Sequence, residues 1–312
     1  MSVPRHQGAP EGARPLFSSE SAAQSFAATL PTRALGKRIE YHRVAESTNE
    51  LALSAARAGA PHGLVVAADE QTVGRGRRGR SWSAPPAQGL LFSVLVRYEH
   101  LPPERLGWMA LAAGLAGAEA VEQIADLPAT IKWPNDIVIF DFRLPNADLK
   151  KQRIENRKSK IENAPPWRKL GGILCEGVAP GKPGSAGFVV VGMGLNVLQD
   201  RDSLPSVPKS PPTSIFLETG RKIARTKLLA ALLVRLERRF HELQASETFG
   251  SLRTTVEGRL AAWWQGRQLV IQATGAEIRG TYEGLDEFGC LKTRSPEGQE
   301  HVLADAEIIG VR

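Results

Sequence analysis

A run of arginine and glycine, G-R-G-R-R-G-R at residues 74–80, constrains the fold more than any other stretch of this chain. This composition suits neither a helix nor a buried strand, because glycine adds backbone freedom and guanidinium groups need solvent or anions. Short apolar runs flank it at 64–68 and 90–96 and predict two buried strands. The run is therefore predicted to be a loop between core strands of a sheet, where ligand pockets are common.

The composition of this loop favours binding of an anion. Glycine lets the backbone approach a ligand closely, and arginine offers permanently charged, forked donors that match carboxylate and phosphate oxygens. Taken alone, an Arg/Gly run is more often a solvated basic loop or a patch for nucleic acid. Its position between two predicted core strands favours a ligand pocket instead.

Length and composition indicate one large and one small domain that bury a core, with 312 residues of which 42% are hydrophobic. No apolar run approaches the roughly 20 residues that span a bilayer. Residues 1–12 lack the apolar core of a secretory signal. Cys175 and Cys290 have no Cys or His partner at ligand spacing, which predicts free thiols in a reducing cytoplasm and no metal site.

The net charge of +7 raises the question of nucleic-acid binding. Between residues 141 and 169 there are nine Lys/Arg and four Asp/Glu, a surplus of five. Most of the excess charge therefore belongs to one local segment and not to a folded basic face. This distribution argues against a nucleic-acid partner.

The hydrophobic pattern divides the chain into three regions and one insertion. Residues 1–38, rich in proline and small residues, are predicted to form a mostly disordered arm with one helical turn. Residues 39–265 alternate predicted strands and amphipathic helices, which indicates an α+β domain. Within it the charged segment 141–168 is predicted to be a surface insertion in a hairpin. Short strands separated by turns fill residues 266–312 and predict a small β-barrel.

Two motifs outside the loop place polar residues beside predicted elements. E-S-T-N-E at 46–50 opens a predicted helix, and Ser47 followed three residues later by Glu50 matches a capping box. Capping is therefore the simplest role of Ser47. K-W-P-N-D-I at 132–137 predicts a strand, a turn and a strand, in which Asn135 and Asp136 alone would more often stabilise the turn than form a site.

Five motifs in order resemble those of the biotin protein ligases. They are E-S-T-N-E at 46–50, E-Q-T-V-G-R-G-R-R-G-R-S-W at 70–82, K-W-P-N-D-I at 132–137, K-L-G-G-I-L-C-E at 169–176 and G-M-G-L-N-V at 192–197. The resemblance covers roughly residues 39–312. It implies a catalytic domain at 39–265 with a mixed β-sheet like that of class II aminoacyl-tRNA synthetases, packed with helices, and an SH3-like domain at 266–312. It suggests the monofunctional type, without a winged-helix DNA-binding domain.

The resemblance also implies a two-step reaction. The biotin carboxylate attacks the α-phosphate of ATP to give biotinyl-5′-AMP, and a lysine of a biotin carboxyl carrier protein then displaces AMP. An Arg/Gly loop suits the first step, because permanent charge and backbone N–H donors offset the repulsion between two anions. The implied cofactors are ATP and Mg²⁺, with the metal held mainly by phosphates. The implied partner is the carrier domain of a biotin-dependent carboxylase; no nucleic acid or membrane is expected, and a homodimer is left open.

The resemblance assigns site roles by position. The expected catalytic residues are Lys169, which would bridge the biotin carboxyl group and the α-phosphate, Arg77 and Asp136. The expected biotin-binding residues are Ser47, Thr48, Asn49, Gln71, Arg75, Gly76, Arg77, Lys169 and Gly172. The expected ATP-binding residues are Arg78, Trp82, Lys132, Asn135 and Asn196. Asp136 fits either a metal–phosphate role or a role at the acceptor lysine, and no resident metal ligand is expected.

Two other functions fit parts of the pattern. A lipoate-attaching enzyme would share a similar core and an acyl-adenylate route, although the Arg/Gly loop and K-W-P-N-D favour biotin. A regulator that senses biotin or binds nucleic acid without catalysis would account for the basic loop. The insertion at 141–168 precedes Lys169 directly, so the position of Lys169 is the assignment that most needs a structure.

Overall fold

The computed structural model describes residues 14–98, 101–140, 165–178, 187–207 and 209–311, and within them the chain forms helices and strands in mixed order. The helices are α1 Glu20–Thr29, α2 Thr48–Arg57, α3 Pro103–Leu106, α4 Met109–Ala125, α5 Ile215–Thr219, α6 Arg225–Gln244 and α7 Ser246–Trp264. The strands are β1 Ile39–Ala45, β2 Val65–Gln71, β3 Gly89–Tyr98, β4 Thr130–Lys132, β5 Asp136–Phe140, β6 Trp167–Val178, β7 Gly187–Asn196, β8 Gln268–Ala273, β9 Ala276–Leu285, β10 Leu291–Arg294, β11 Glu300–Leu303 and β12 Glu307–Val311.

A seven-stranded mixed sheet, in the order β1-β2-β3-β7-β6-β5-β4, forms the centre of the molecule. Strands β1 and β2 are parallel, and the other neighbours are antiparallel. Alternate residues of β2 point to opposite faces, so that Val65 packs in the cluster that holds α4 and α6, while Val66 packs against α2. Both faces are therefore covered, which explains why these strands read as continuous apolar runs.

A second, five-stranded antiparallel sheet follows α7, in the order β11-β10-β9-β8-β12. It confirms the prediction of a separate C-terminal β region, and the two sheets together confirm a mixed helix-and-sheet fold. Trp108 Nε1 donates a 2.9 Å hydrogen bond to Glu287 O, and Trp133 Nε1 donates one of 3.0 Å to Gly289 O. The small sheet thus packs directly on the larger region. Among the described residues no helix combines the length and the apolar character that crossing a membrane requires.

The prediction of a disordered arm is wrong for residues 14–38. Ser19 accepts a hydrogen bond from the backbone of Ala22 and so caps α1, and Leu16 and Phe17 are buried in the main core. The backbone N–H of Leu16 also donates to the buried carboxylate of Asp69 at 2.9 Å. The proline-rich composition concealed a short helix whose stability comes from tertiary packing. Residues 1–13, like residues 141–164 of the predicted insertion, lie outside the described residues.

Two local features of the helices bear on the site. The apolar stretch 103–124 forms two helices, α3 and α4, which are divided next to Gly107, where a Cβ atom would collide with the backbone of Phe288. Ser47 does occupy the N-cap position of α2, but its side chain makes no capping hydrogen bond. Its hydroxyl group instead lies in the wall of a cavity.

Candidate active site

One cavity brings residues from all five sequence motifs together. Of the predicted site residues, it is lined by Ser47, Thr48, Asn49, Gln71, Arg75, Gly76, Arg77, Arg78, Trp82, Lys132, Asn135, Asp136, Lys169 and Gly172. It is also lined by Arg80, Ser81, Pro134, Ile173, Leu174, Gly192, Met193, Gly194, Ala306 and Glu307. The motifs are far apart in sequence, and the central strands β2, β7, β6 and β5 bring them to one place.

Asn196 is the one predicted site residue that the structure does not place in the cavity wall. Its side chain is 4% exposed, and its Nδ2 donates to Thr213 O at 2.9 Å. Its Oδ1 accepts a hydrogen bond from Gln199 Nε2 at 3.1 Å. The amide therefore fixes the segment that follows β7, and an ATP-binding role for Asn196 stays a prediction.

Two glycines of β7 make room for side chains that reach the cavity. A Cβ atom on Gly192 would collide with the side chain of Asn49, and one on Gly194 would lie 2.6 Å from the Trp82 indole. On the neighbouring strand, a Cβ on Gly172 would lie 3.4 Å from both Lys169 Nζ and Trp82. Close approach of side chains to the sheet thus explains Gly192 and Gly194, whereas a Cβ on Gly172 would make only ordinary contacts.

The Arg/Gly loop is folded against the cavity. Gly76 N donates to Arg80 O at 2.7 Å, and Trp82 N donates to Gly74 O at 2.9 Å, so the loop closes as a narrow hairpin around a 3₁₀ turn at Arg77–Gly79. Arg78 lies in the left-handed region at φ 57°, which costs a non-glycine residue roughly 1 kcal/mol. Its ion pair with the C-terminal region helps to offset this cost.

Each arginine of the loop has an acidic partner. Arg75 forms ion pairs with Glu50 and Glu176, the latter at 2.8 Å. Glu176 Oε2 in turn accepts a hydrogen bond from Asn49 Nδ2 at 2.9 Å. The loop is therefore tied to residues at the start of α2 by a carboxylate of β6.

The other three arginines face the C-terminal sheet. Arg77 Nη2 and Arg78 Nε lie 2.7 and 3.1 Å from Asp305 Oδ1, and Arg80 pairs with Glu307. Arg77 Nη1 also donates to Asn135 Oδ1 at 3.3 Å. Sequence reasoning missed Asp305 and Glu307, because they lie about 227 residues from their partners and outside any motif. Their charges lower the net positive charge at this side of the cavity.

Two lysines and one aspartate form a buried ionic cluster. Asp136 Oδ1 lies 2.6 Å from Lys169 Nζ, and its Oδ2 lies 3.6 Å from Lys132 Nζ. Burial opposes ionisation of Asp136, but the two ammonium groups outweigh it and hold its pKa below the usual range. Burial lowers the pKa of Lys132, which is 0% exposed, and the nearby Asp136 counteracts part of that effect. The cluster can thus present ammonium groups to an anion while Asp136 stays charged.

Lys132 has spare capacity for an anionic ligand. Within the described residues its ammonium group makes no hydrogen bond, and it lies 5.1 Å from the centre of the Trp167 ring. Lys169 lies 5.6 Å from the centre of the Trp82 ring. A phosphate oxygen could therefore satisfy Lys132 without disrupting an existing hydrogen bond.

The described residues contain no group of three His, Cys, Asp or Glu side chains that could hold a metal ion. The two carboxylates in the cavity wall, Asp136 and Glu307, are each paired with a cation. Burial opposes ionisation of Glu307 too, but its hydrogen bond with Arg80 holds the pKa of Glu307 below its usual value. These two carboxylates therefore do not form a dedicated metal site. They suit a magnesium ion that is bound mainly by phosphate oxygens.

Comparison with known proteins gives a consistent picture. The Biotin/lipoate A/B protein ligase family matches residues 41–196, half of the chain. A biotin–[acetyl-CoA-carboxylase] ligase of Paracoccus denitrificans is 30% identical over 267 residues, covering 84% of this chain and 96% of that protein. The bifunctional ligase/repressor BirA of Bacillus subtilis is 28% identical over 280 residues, covering 89% of this chain and 76% of that protein.

A solved structure has the same fold. The biotin protein ligase from Aquifex aeolicus, in complex with biotin and ATP, superposes with a TM-score of 0.64 and 25% identity. The alignment covers 88% of this chain and 99% of the Aquifex chain. Both the catalytic region and the C-terminal sheet therefore have counterparts in that enzyme.

Proposed function

Because the chain belongs to the Biotin/lipoate A/B protein ligase family, we propose that its cavity activates biotin with ATP and transfers it to a lysine of a carrier protein. The observation that carries this proposal is the meeting of all five motifs around one cavity that has a neutral end and a charged end. We name the neutral end, Ser47, Thr48, Asn49 and Gln71, the ureido end. We name the charged end, Arg77, Arg78, Arg80, Lys132 and Lys169, the phosphate end.

The ureido end suits the biotin ring. A urea is planar and uncharged, so it needs neutral hydrogen-bonding partners, and Thr48 and Asn49 are each 4% exposed. Gln71 Oε1 accepts from Thr48 N at 2.8 Å, which fixes the orientation of the glutamine amide. We assign Arg75, Gly76 and Gly172, which also line the cavity, to contacts with the valeryl chain.

The first chemical step would take place at the phosphate end. A carboxylate oxygen of biotin attacks the α-phosphorus of ATP, a new P–O bond forms, and the bond to the leaving pyrophosphate breaks. Lys169 is positioned by its 2.6 Å contact with Asp136 to neutralise both reacting anions, and Lys132 supplies a second cation. Magnesium bound to the phosphates would lower their negative charge further. Trp82 offers an aromatic face for the adenine ring.

In the second step the amine of the acceptor lysine attacks the acyl carbon of biotinyl-5′-AMP, and AMP leaves. Closure of the Arg/Gly loop keeps water away from the mixed anhydride between the two steps. The depressed pKa of Asp136 makes this carboxylate a weak base. We therefore assign Asp136 to holding Lys169 and Lys132 in place and not to deprotonating the acceptor.

The finer architecture follows the same proposal. We assign residues 39–265 to a catalytic domain whose mixed sheet is of the class II synthetase type, and residues 266–312 to an SH3-like domain. The antiparallel order β11-β10-β9-β8-β12 supports the second assignment. A cytoplasmic location agrees with Cys175 and Cys290 as free thiols, and a possible homodimer stays a prediction.

Transfer to a carrier protein is the direct test. The full chain is incubated with biotin, MgATP and a biotin carboxyl carrier domain, and the carrier is weighed by mass spectrometry. The expected result is a mass gain of one biotinyl group that requires ATP and is absent when the carrier lysine is replaced by arginine. Titration with lipoate provides the comparison, since tight lipoate binding without biotin binding would overturn the assignment. Salt-dependent DNA binding without any transfer would favour a regulator.

A further inference from the structure

A chain of oxygen atoms runs through the ureido end. Ser93 Oγ lies 2.6 Å from Asn49 Oδ1 and 2.8 Å from Thr48 Oγ1, and Thr48 Oγ1 lies 3.0 Å from Gln71 Oε1. Ser93 is 0% exposed, in the middle of β3, and does not itself line the cavity. All three distances are those of hydrogen bonds, so each contact needs one proton.

The two ends of this chain can only accept protons. Asn49 uses both amide hydrogens elsewhere, since its Nδ2 donates to Glu176 Oε2 at 2.9 Å and to Leu174 O at 3.2 Å. Its Oδ1 must therefore face Ser93. At the other end, Gln71 Oε1 is held in place by the backbone N–H of Thr48 at 2.8 Å. Both terminal oxygens thus offer lone pairs and no hydrogen.

The oxygen chain has one hydrogen fewer than its contacts need. Only the hydroxyl groups of Ser93 and Thr48 supply hydrogens, so two protons serve the three oxygen–oxygen contacts. Whichever way the hydroxyl groups turn, one contact brings lone pairs together with no hydrogen between them. A buried oxygen without a donor is costly, so this part of the cavity is arranged to receive a hydrogen from a ligand.

We propose that Glu176 is a positioning residue that sets this hydrogen-bond polarity and so makes the ureido end select a ligand with an N–H donor. The carboxylate can only accept, so it fixes the Asn49 amide with its oxygen toward Ser93, which leaves the chain one proton short. This inference rests on the proposed function, in which the donor is a ureido N–H of biotin. A dithiolane ring such as that of lipoate has no N–H and leaves the deficit in place.

The second carboxylate oxygen of Glu176 determines how the substitution Glu176→Gln changes the hydrogen bonds around it. Oε1 accepts from Arg75 Nη2 at 2.8 Å, so both sides of the carboxylate face donors. In Glu176→Gln the new amide can offer an oxygen to only one of them, and the charged Arg75 takes it. The amide nitrogen then faces Asn49, whose own amide turns over, gives up its hydrogen bond to Leu174 O and donates to Ser93 Oγ. This rotation moves the unpaired contact away from the oxygen chain to Leu174 O and removes the demand for a ligand donor at Thr48 and Gln71.

Titration calorimetry on the full chain measures the predicted change. The probes are biotin and two cyclic carbamate analogues, each with one ureido N–H replaced by a ring oxygen. We expect the wild-type chain to bind biotin about 10- to 100-fold more tightly than the carbamate that places oxygen against Thr48. In Glu176→Gln this ratio falls to about threefold or less, because biotin binding weakens and carbamate binding does not. A general structural defect would weaken both ligands and leave the ratio unchanged.

Two further variants complete the design. Glu50→Gln removes the other carboxylate of Arg75 but touches none of the oxygen chain, so it keeps the wild-type ratio. Thr48→Val removes the central hydroxyl group and lowers the ratio while Glu176 stays in place. The proposal is overturned if Glu176→Gln or Thr48→Val retains the wild-type ratio, or if Glu50→Gln lowers it. A wild-type chain that binds no biotin would instead refute the proposed function.

Discussion

The ureido end and the phosphate end of the cavity differ in charge and in the parts of the fold that supply them. The ureido end consists of neutral side chains from the junction of β1 and α2 and from β2, supported by the buried Ser93 of β3. The phosphate end combines cations from the Arg/Gly loop, β4 and β6 with the carboxylates of Asp305 and Glu307 from the C-terminal sheet. One end therefore belongs to a single sheet, and the other spans two.

Under the proposed function, this difference implies two ways of recognising the two substrates. A neutral ring is selected by the positions of hydrogens, which rigid, buried elements can hold fixed. A triphosphate is recognised by charge, and most of the cations at that end are already paired with protein carboxylates. We therefore expect ATP to displace some of these carboxylates, whereas we expect biotin to enter a hydrogen-bond arrangement that lacks only the hydrogens of its own N–H groups.

The largest expected effect is that of Lys169→Ala. This change removes the ammonium group that lies 2.6 Å from Asp136 and that we propose neutralises both reacting anions, so adenylate formation should fall about 10²- to 10³-fold. Release of pyrophosphate measures the rate, and biotin affinity at the ureido end should change little. Lys292→Ala, which removes a lysine paired with Glu300 outside this cavity, is the matched control. Normal adenylate formation in Lys169→Ala would contradict the division of roles between the two ends.

Asp136→Asn should lower stability at neutral pH by about 3 kcal/mol, because it leaves the buried Lys132 without its counter-charge. The native pKa of Asp136 lies below its unfolded value near 3.8. Its contribution to stability is therefore present above about pH 4 and is lost as the pH falls through the native pKa. Urea unfolding of the full chain at several pH values measures both effects.

In the variant, the loss of stability on acidification should be shallower than in the wild-type chain. Asp202→Asn, at an exposed aspartate outside the cavity wall, provides the comparison. If Asp136→Asn and the wild-type chain lose stability in parallel below pH 4, the phosphate end does not depend on this buried pair.

Arg77→Gly should allow biotinyl-5′-AMP to dissociate about tenfold faster. The guanidinium group contacts both Asn135 and Asp305, and we expect these contacts together to hold the loop closed over the cavity. Faster release would also biotinylate lysines on unrelated proteins, which blotting with streptavidin detects. Arg78→Gly is a matched control, because it also removes an arginine that is paired with Asp305. Unlike Arg77→Gly, it relieves a left-handed backbone and does not affect a contact with Asn135. An adenylate dissociation rate unchanged in Arg77→Gly would argue against loop closure.

The sequence could indicate that the residues of the ureido end and of the loop meet around one cavity, because they lie in contiguous motifs beside strongly apolar strands. Ser93 went unnoticed, although a single polar residue within L-L-F-S-V-L-V was a signal, since a buried hydroxyl group needs a partner. Asp305 and Glu307 gave no such signal. Surface acidic residues are common, and only the packing of the C-terminal sheet brings these two to the loop.

Two differences between the expectations and the structure have the same physical origin. Residues 14–38 have a weak local pattern, and the order of α1 comes from burial of residues such as Phe17 in a core formed elsewhere in the chain. Asn196 is expected to bind ATP because of its place in the motif G-M-G-L-N-V, but Thr213 and Gln199 take its amide. In both cases a partner distant in sequence or in a loop decides the outcome, and strand periodicity cannot anticipate it.

The smallest expected effect, and the most direct test of the comparison, is that of Asp305→Asn. Asp305 is 56% exposed, so its ion pairs with Arg77 and Arg78 are worth only about 0.2–1 kcal/mol. If this carboxylate competes with phosphate for the same arginines, the KM for ATP should fall by up to about fivefold while the Kd for biotin stays unchanged. Glu300→Gln, on the same sheet and away from the cavity, should change neither. A rise in the KM for ATP would mean that Asp305 stabilises the closed loop. A changed Kd for biotin would mean that the ureido end and the phosphate end are coupled through the loop and do not act separately.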